Sequence, residues 1–174
     1  MNWAGKQRKQ GDIMTTETVK IDLNAVRGLP EWIALYQAYN AAFKVNEMAL
    51  LPKEISLPQL HLLALLAYAG RPLSTGEIAR AMVKAAQSIT GLVDRLVARG
   101  MVETKGDPKD RRKTLVVLTD AGRAKLRESW PTANRVGEEL FTILSDQELG
   151  SLKNSCEKLR DAAIQKLGIS LQGL

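Results

Sequence analysis

Residues 74 to 119 constrain this chain more than any other stretch. Ser74-Thr75-Gly76-Glu77 has the form of a capping box. In such a box the serine hydroxyl accepts from the glutamate amide, and the glutamate carboxylate reaches back to the serine amide. Ile78, Ala79 and Met82 follow at helical spacing and make one apolar face. A second helix runs from Ala86 to Arg99. Its Ile89, Leu92, Val93, Leu96 and Val97 fall at i, i+3, i+4, i+7 and i+8, a core stripe of period 3.6. Gln87, Ser88, Thr90, Gly91, Asp94 and Arg95 face away from that stripe, and Gly100 stops the helix. Met101 to Thr104 reads as a strand and Leu115 to Leu118 as a second, β-branched one. Between them, Lys105 to Lys113 combines turn-forming Gly, Asp and Pro with five cations.

Two helices joined by a turn and followed by a basic-tipped hairpin make a winged helix-turn-helix. Its second helix is sized for the major groove of double-stranded DNA. The expected fold class is mainly α with a small β-hairpin wing. Net charge supports the partner: the chain carries +6, and residues 84 to 125 hold ten Lys/Arg against five Asp/Glu. Such an excess suits a polyanion, although it says nothing of fold.

The wing also carries a resemblance. Asp110-Arg111-Arg112, then Leu115-Val116-Val117-Leu118-Thr119 and Gly122, is similar to the D-x-R…L-T-x-x-G wing signature of the multiple-antibiotic-resistance regulator (MarR) family. Leu92-Val93-Asp94-Arg95-Leu96, continued through Gly100-Met101-Val102, resembles that family's recognition helix and the strand after it. The resemblance covers roughly residues 30 to 168. It implies a two-fold dimer with interleaved first and last helices, and small aromatic or phenolic effectors bound between dimer layer and winged domain. It implies that Arg112 enters the minor groove while Asp110 holds its guanidinium. One departure stands out: where the family often carries an arginine at the end of the first wing strand, this chain has Thr104 followed by Lys105.

The flanking sequence divides around this centre. Residues 1 to 20 are polar and aperiodic and are expected to be a disordered extension, with Met14 an alternative start. Residues 21 to 55 read as a dimerisation arm and first helix. Ile21, Leu23, Val26 and Leu29 form the arm, and Pro30 opens a helix to Leu50 with Trp32, Leu35, Tyr36, Tyr39, Ala42, Phe43 and Met48 on one broad apolar side. Residues 56 to 119 are the winged domain, opened by a second capping box at Ser56 to Gln59 and a helix to Ala69 that Gly70 ends. Residues 120 to 174 supply C-terminal dimerisation helices. Thr119 caps the first of these, Pro131 should kink or break it, and Ser145 to Glu148 boxes the last. The stripe of that last helix is Leu149, Leu152, Cys156, Leu159, Ala163 and Leu167.

The candidate DNA-binding residues are Ser74, Thr75, Lys84, Gln87, Ser88, Thr90, Gly91, Arg95, Lys105, Lys109, Asp110, Arg111, Arg112 and Lys113. The plainer reading of the helix face and wing tip is a solvated charged surface. Tyr36, Tyr39, His61 and Trp130 are candidate effector residues, with core packing the rival reading. One His and one Cys argue against a zinc centre, and no phosphate-binding loop or nucleophile elbow is present, so neither cofactor nor enzyme activity is expected. A lone Cys156 on an apolar stripe reads as a core thiol and allows no internal disulfide. No apolar run approaches the ~20 residues of a membrane span, and a cytoplasmic protein is expected. The expected function is a transcriptional regulator, a ligand-responsive repressor that binds a pseudo-palindromic operator as a homodimer. The alternative is a winged-helix adaptor whose basic wing meets an acidic protein.

Overall fold

The computed structural model describes residues 26–108, 110 and 112–168. They divide into two units after Gln37. The expectations for residues 1 to 20, and for Ile21 and Leu23, lie outside the described residues.

Among the described residues, six helices and three short strands follow one another: α1 (Leu29–Leu50), a 3-10 turn (Leu51–Lys53), α2 (Leu57–Ala69), β1 (Leu73–Ser74), α3 (Thr75–Ala81), α4 (Ala86–Ala98), β2 (Val102–Gly106), β3 (Thr114–Leu118), α5 (Asp120–Phe141) and α6 (Asp146–Lys166). The helix starts are set by local chemistry. Ser56, Ser74 and Ser145 each accept from the third helical amide, while Gln59, Glu77 and Glu148 reach back, as their spacing predicts. Gly70 and Gly100 end α2 and α4 with positive φ, which costs glycine least.

The winged body closes on one core. Leu60, Leu62, Leu63 and Leu66 of α2 meet Ile78 of α3, Ile89, Leu92, Val93 and Leu96 of α4, and Val102, Val116 and Leu118 of the hairpin. Val97 does not join them. It stands exposed in the last turn of α4, because the stripe drifts round the helix and Met101, not Val97, closes the core there.

The hairpin is antiparallel, with Val102 opposite Leu118 and Gly106 opposite Thr114. β1 adds a third strand through Leu73 opposite Val116, giving the order β1-β3-β2. At two residues β1 is too short to show a period. Only the base of β2 is buried, so its other four residues project into solvent.

Where the wing meets α5, backbone approaches backbone. Thr119 Oγ1 donates to Gly100 O at 2.7 Å and accepts from Gly122 N at 3.1 Å. A Cβ on Gly122 would lie 2.0 Å from Met101 O and 2.7 Å from Leu118 Cδ1. Only glycine fits there, which gives the spacing between Thr119 and Gly122 its physical meaning.

Two expectations need correction along the last helices. Pro131 does not break α5, which runs as one helix from Asp120 to Phe141 with the proline inside it. The proline removes the amide that the Arg127 carbonyl would accept from. Both residues are exposed, so water can replace that bond. Cys156, expected as a core thiol, is only half-buried, on a helix where Ile164 is the buried residue and Leu152, Leu159 and the following Leu167 are exposed. No helix among the described residues is long and apolar enough to cross a membrane.

Candidate nucleic-acid interface

The outer face of α4 carries Gln87, Ser88, Thr90 and Arg95 in solvent, with Gly91 half-buried between them. The helix can present this face because Ile89, Leu92, Val93 and Leu96 all lie on the other side. No side chain caps its start at Ala85, so the positive end of the helix is open to an anion. Thr90 Oγ1 donates to Ala86 O at 3.2 Å, which leaves its methyl and its acceptor lone pairs for an outside partner.

The wing tip is held by its own carboxylate. Arg112 N donates to Asp110 Oδ1 at 3.1 Å, and Arg112 Nε approaches the same oxygen at 3.4 Å. Lys113 Nζ lies 3.9 Å from Asp110 Oδ2. The Arg112 side chain is 92% exposed, whereas Asp110 is half-buried at 28%. An exposed pair of this kind adds little stability. It orients a cation instead, with the rest of the guanidinium turned outward. Asp107 N donating to Lys113 O at 3.0 Å and Lys113 N donating to Asp110 O at 2.9 Å set the turn. Lys105 sits exposed on β2 opposite Leu115. Lys109 and Arg111 lie outside the described residues.

Wing and α3 share a cleft of about 590 Å3, lined by Arg71, Thr75, Arg80, Arg112 and Lys113 among others. Four cations thus converge where Ser74, Thr75, Arg112 and Lys113 were anticipated and Arg71 and Arg80 were not. Ser74 lines it too, but its hydroxyl is engaged by Glu77, which it meets at 2.7 Å as donor and 3.2 Å as acceptor. Arg71 binds Glu77 at 2.9 Å. Burial alone would raise the Glu77 pKa. The hydrogen bonds from Ser74 and the Arg71 guanidinium outweigh it and bring the carboxyl below its ordinary value. Arg71 and Arg80 carried no sequence signal, because their convergence depends on β1 and α3 meeting the wing.

The candidate effector residues split. Tyr39 and His61 line a cleft of about 240 Å3 with Phe43, Met82 and Lys84. His61 and Trp130 line a second, of about 470 Å3, with Leu65, Tyr68 and Met82. His61 and Met82 stand between the two, and Tyr39 and Trp130 do not share a cleft. Tyr36 is exposed on the part of α1 that belongs to the other unit. Lys84, expected on the DNA side, lines the first of these clefts. Although one edge of His61 is exposed, loss of solvent around its ring, and then the nearby Lys84 cation, hold its pKa below the ordinary value.

This arrangement has close relatives. A sequence model of the MarR family matches residues 54–113. The HTH-type transcriptional repressor NicR of Pseudomonas putida is 36% identical over 127 residues, which are 73% of this chain and 78% of NicR. BpsR of Bordetella bronchiseptica, whose structure addresses regulation of its DNA binding by 6-hydroxynicotinic acid, matches with a TM-score of 0.72 at 25% identity. That match covers 82% of this chain and 98% of BpsR. A MarR mutant from E. coli, solved in complex with operator DNA, shares the fold at a TM-score of 0.71 and 23% identity, over 80% of this chain and 99% of its own. These relatives are transcriptional regulators, which disfavours the adaptor reading. By sequence, fold and wing, the chain belongs to the MarR family of winged helix-turn-helix transcriptional regulators and is a DNA-binding regulator.

Proposed function

We propose that this regulator is a homodimeric repressor that binds a pseudo-palindromic operator and releases it when a small aromatic acid binds. In each copy, residues 56 to 119 read one half-site. Gln87 and Ser88 at the start of α4 reach base edges in the major groove, Thr90 and Gly91 pack on the backbone, and Arg95 takes a phosphate. Arg112, aimed by Asp110, enters the adjacent minor groove, where A·T-rich segments concentrate negative potential. Arg71, Thr75, Arg80 and Lys113 in the cleft beside it face the phosphates. The observation that carries this reading is the outward, carboxylate-oriented Arg112 next to the exposed polar face of α4.

Residues 21 to 55 and 120 to 174 would form the dimer layer. What supports it is the uncovered apolar surface of Leu140, Phe141, Ile143, Leu152, Leu159 and Leu167 in a chain whose winged core is already complete. The effector reading rests on the apolar clefts around His61 and on the relationship to BpsR, which 6-hydroxynicotinic acid regulates. An effector can act only by binding one arrangement of the two copies better than the other.

The test is a fluorescence-anisotropy titration of the upstream operator at several salt concentrations. Arg112→Ala should weaken binding and reduce the log–log salt slope by roughly one unit, with unchanged circular dichroism. The loss should be greater on sites with A·T-rich flanks. Unchanged affinity in a folded Arg112→Ala variant would remove the wing from the mechanism.

A further inference from the structure

Two arginines of the reading unit lie on glycines. A Cβ placed on Gly91 of α4 would meet Arg95 Nη1 at 3.6 Å, and one placed on Gly76 of α3 would meet Arg80 Nη1 at 3.7 Å. Each arginine follows its glycine by about one helical turn. Helical side chains lean back over the preceding turn, so each guanidinium comes down where the glycine carries nothing. The other glycines within helices differ. Gly122 is shut in by backbone, and Gly137 and Gly150 meet nothing within 4 Å.

Glycine is a poor helix former, yet Gly91 stands in the middle of α4 and Gly76 in the first turn of α3. Backbone crowding does not explain them. A methyl group would fit at either place, because 3.6 and 3.7 Å are ordinary contact distances. A longer side chain would not, since its γ atoms need the volume that the guanidinium fills. Nor does a carboxylate hold either arginine. Among the described residues Arg80 and Arg95 form no ion pair, whereas Arg71, in the same cleft as Arg80, is bound to Glu77 at 2.9 Å. With no counter-ion to fix it, each charge is placed by the surface it lies on.

We propose that Gly91 and Gly76 are positioning residues, each seating one arginine for a DNA phosphate. The bare backbone lets the guanidinium lie along the helix, directed at the helix start, with its donors unengaged. A larger residue at either place would lift the arginine into solvent. Its charge would then be spread over many rotamers, and ordering it against a phosphate would cost side-chain entropy. This rests on the reading that Arg95 and Arg80 take phosphates. It adds what holds them ready.

The test is a double-mutant cycle in the full chain: wild type, Gly91→Leu, Arg95→Ala and the two together. Each is melted, and each is titrated with operator DNA by fluorescence anisotropy at several salt concentrations. Gly91→Leu should melt at or above wild type, since leucine is the better helix former. It should nevertheless weaken operator binding at least fivefold and lose about one unit of log–log salt slope, as Arg95→Ala should. In the Arg95→Ala background Gly91→Leu should weaken binding less than twofold, because the side chain it displaces is gone. A second cycle, Gly76→Leu with Arg80→Ala, tests the other seat by the same criteria. If Gly91→Leu costs as much affinity in the Arg95→Ala background as in wild type, the added side chain obstructs DNA directly and the seat is overturned. Wild-type affinity in Gly91→Leu overturns it too. If Arg95→Ala leaves affinity and salt slope unchanged, Arg95 takes no phosphate, and that reading fails together with this inference.

Discussion

On α4, Ile89, Leu92, Val93 and Leu96 are at most 4% exposed, and every outward residue is polar, small or charged apart from Val97. On α6, Leu152, Leu159 and Leu167 are 40%, 59% and 63% exposed, and Ile164 alone is buried. Both helices follow the same spacing rule. They differ in what surrounds them. α4 sits inside a body whose stripes cover one another, whereas α6 offers a stripe that the other described residues leave open. An apolar period therefore tells that a face wants a partner, without telling whether the partner is the same molecule.

The largest expected effect lies on the closed side of that contrast. Gly122→Ala drives a Cβ into Met101 O, a backbone atom that cannot swing aside. It should cost at least about 3 kcal/mol, or roughly 6–12 °C in melting temperature for a chain of this size. A melt within two degrees of wild type would show that the wing base can open, and would weaken the picture of a closed body.

Next, α6 offers an internal control. Ile164→Ala should destabilise by about 2–4 kcal/mol, because it empties a buried site. Leu159→Ser should change folding by less than about 0.5 kcal/mol yet weaken self-association at least tenfold. Sedimentation across micromolar concentrations separates the two. A Leu159→Ser variant that associates like wild type would mean that the open stripe is not the dimer surface.

The two helix ends of the reading unit give a finer comparison. α3 and α4 both end on a left-handed residue, Val83 in one case and Gly100 in the other. Val83→Gly should stabilise by about 1 kcal/mol, since relief of the strained φ exceeds the added flexibility of the unfolded chain. Chemical denaturation reads this directly, and a destabilised Val83→Gly would mean that the half-exposed valine contributes more packing than strain.

The smallest effect is with pH. The folded pKa of His61 lies below its ordinary value of about 6.5. The unfolded chain therefore binds the proton first. Its contribution is complete above pH 6.5 and is lost as pH falls from there toward the lowered folded value. Melting temperature should drop slightly across that window, and His61→Gln should flatten the drop. An identical slope in the variant would assign it to other groups.

The fold was legible where its determinants are local. Three serine capping boxes, the α4 stripe and the turn residues of the wing are each settled within a few residues of chain. The wing pair Asp110–Arg112 was legible through the family resemblance, and its members lie only two residues apart. β1 was not, since its two residues acquire meaning only against Val116. Nor was the grouping of effector residues. Tyr39 and Trp130 sit 91 positions apart in sequence and end in different clefts, while Met82, which reads as plain core, borders both. Convergence of distant side chains depends on helix packing, which periodicity does not encode. Pro131 shows the converse: a strong local breaker is overruled where the orphaned carbonyl faces water.

The Thr119–Gly122 contact also has a mechanical side. It rivets three pieces at one point: the end of α4 through Gly100, the base of the hairpin, and the first turn of α5. With no room for even a methyl group, the joint has no slack. The hairpin is then a rigid pointer mounted on α5. Its five-residue arm is about 17 Å long, so tilting α5 by about ten degrees would swing Arg112 by about 3 Å. That is about the length of a hydrogen bond, enough to make or lose a groove contact. A small inclination of one long helix is thereby amplified at the tip that meets DNA, with nothing in the wing itself needing to bend.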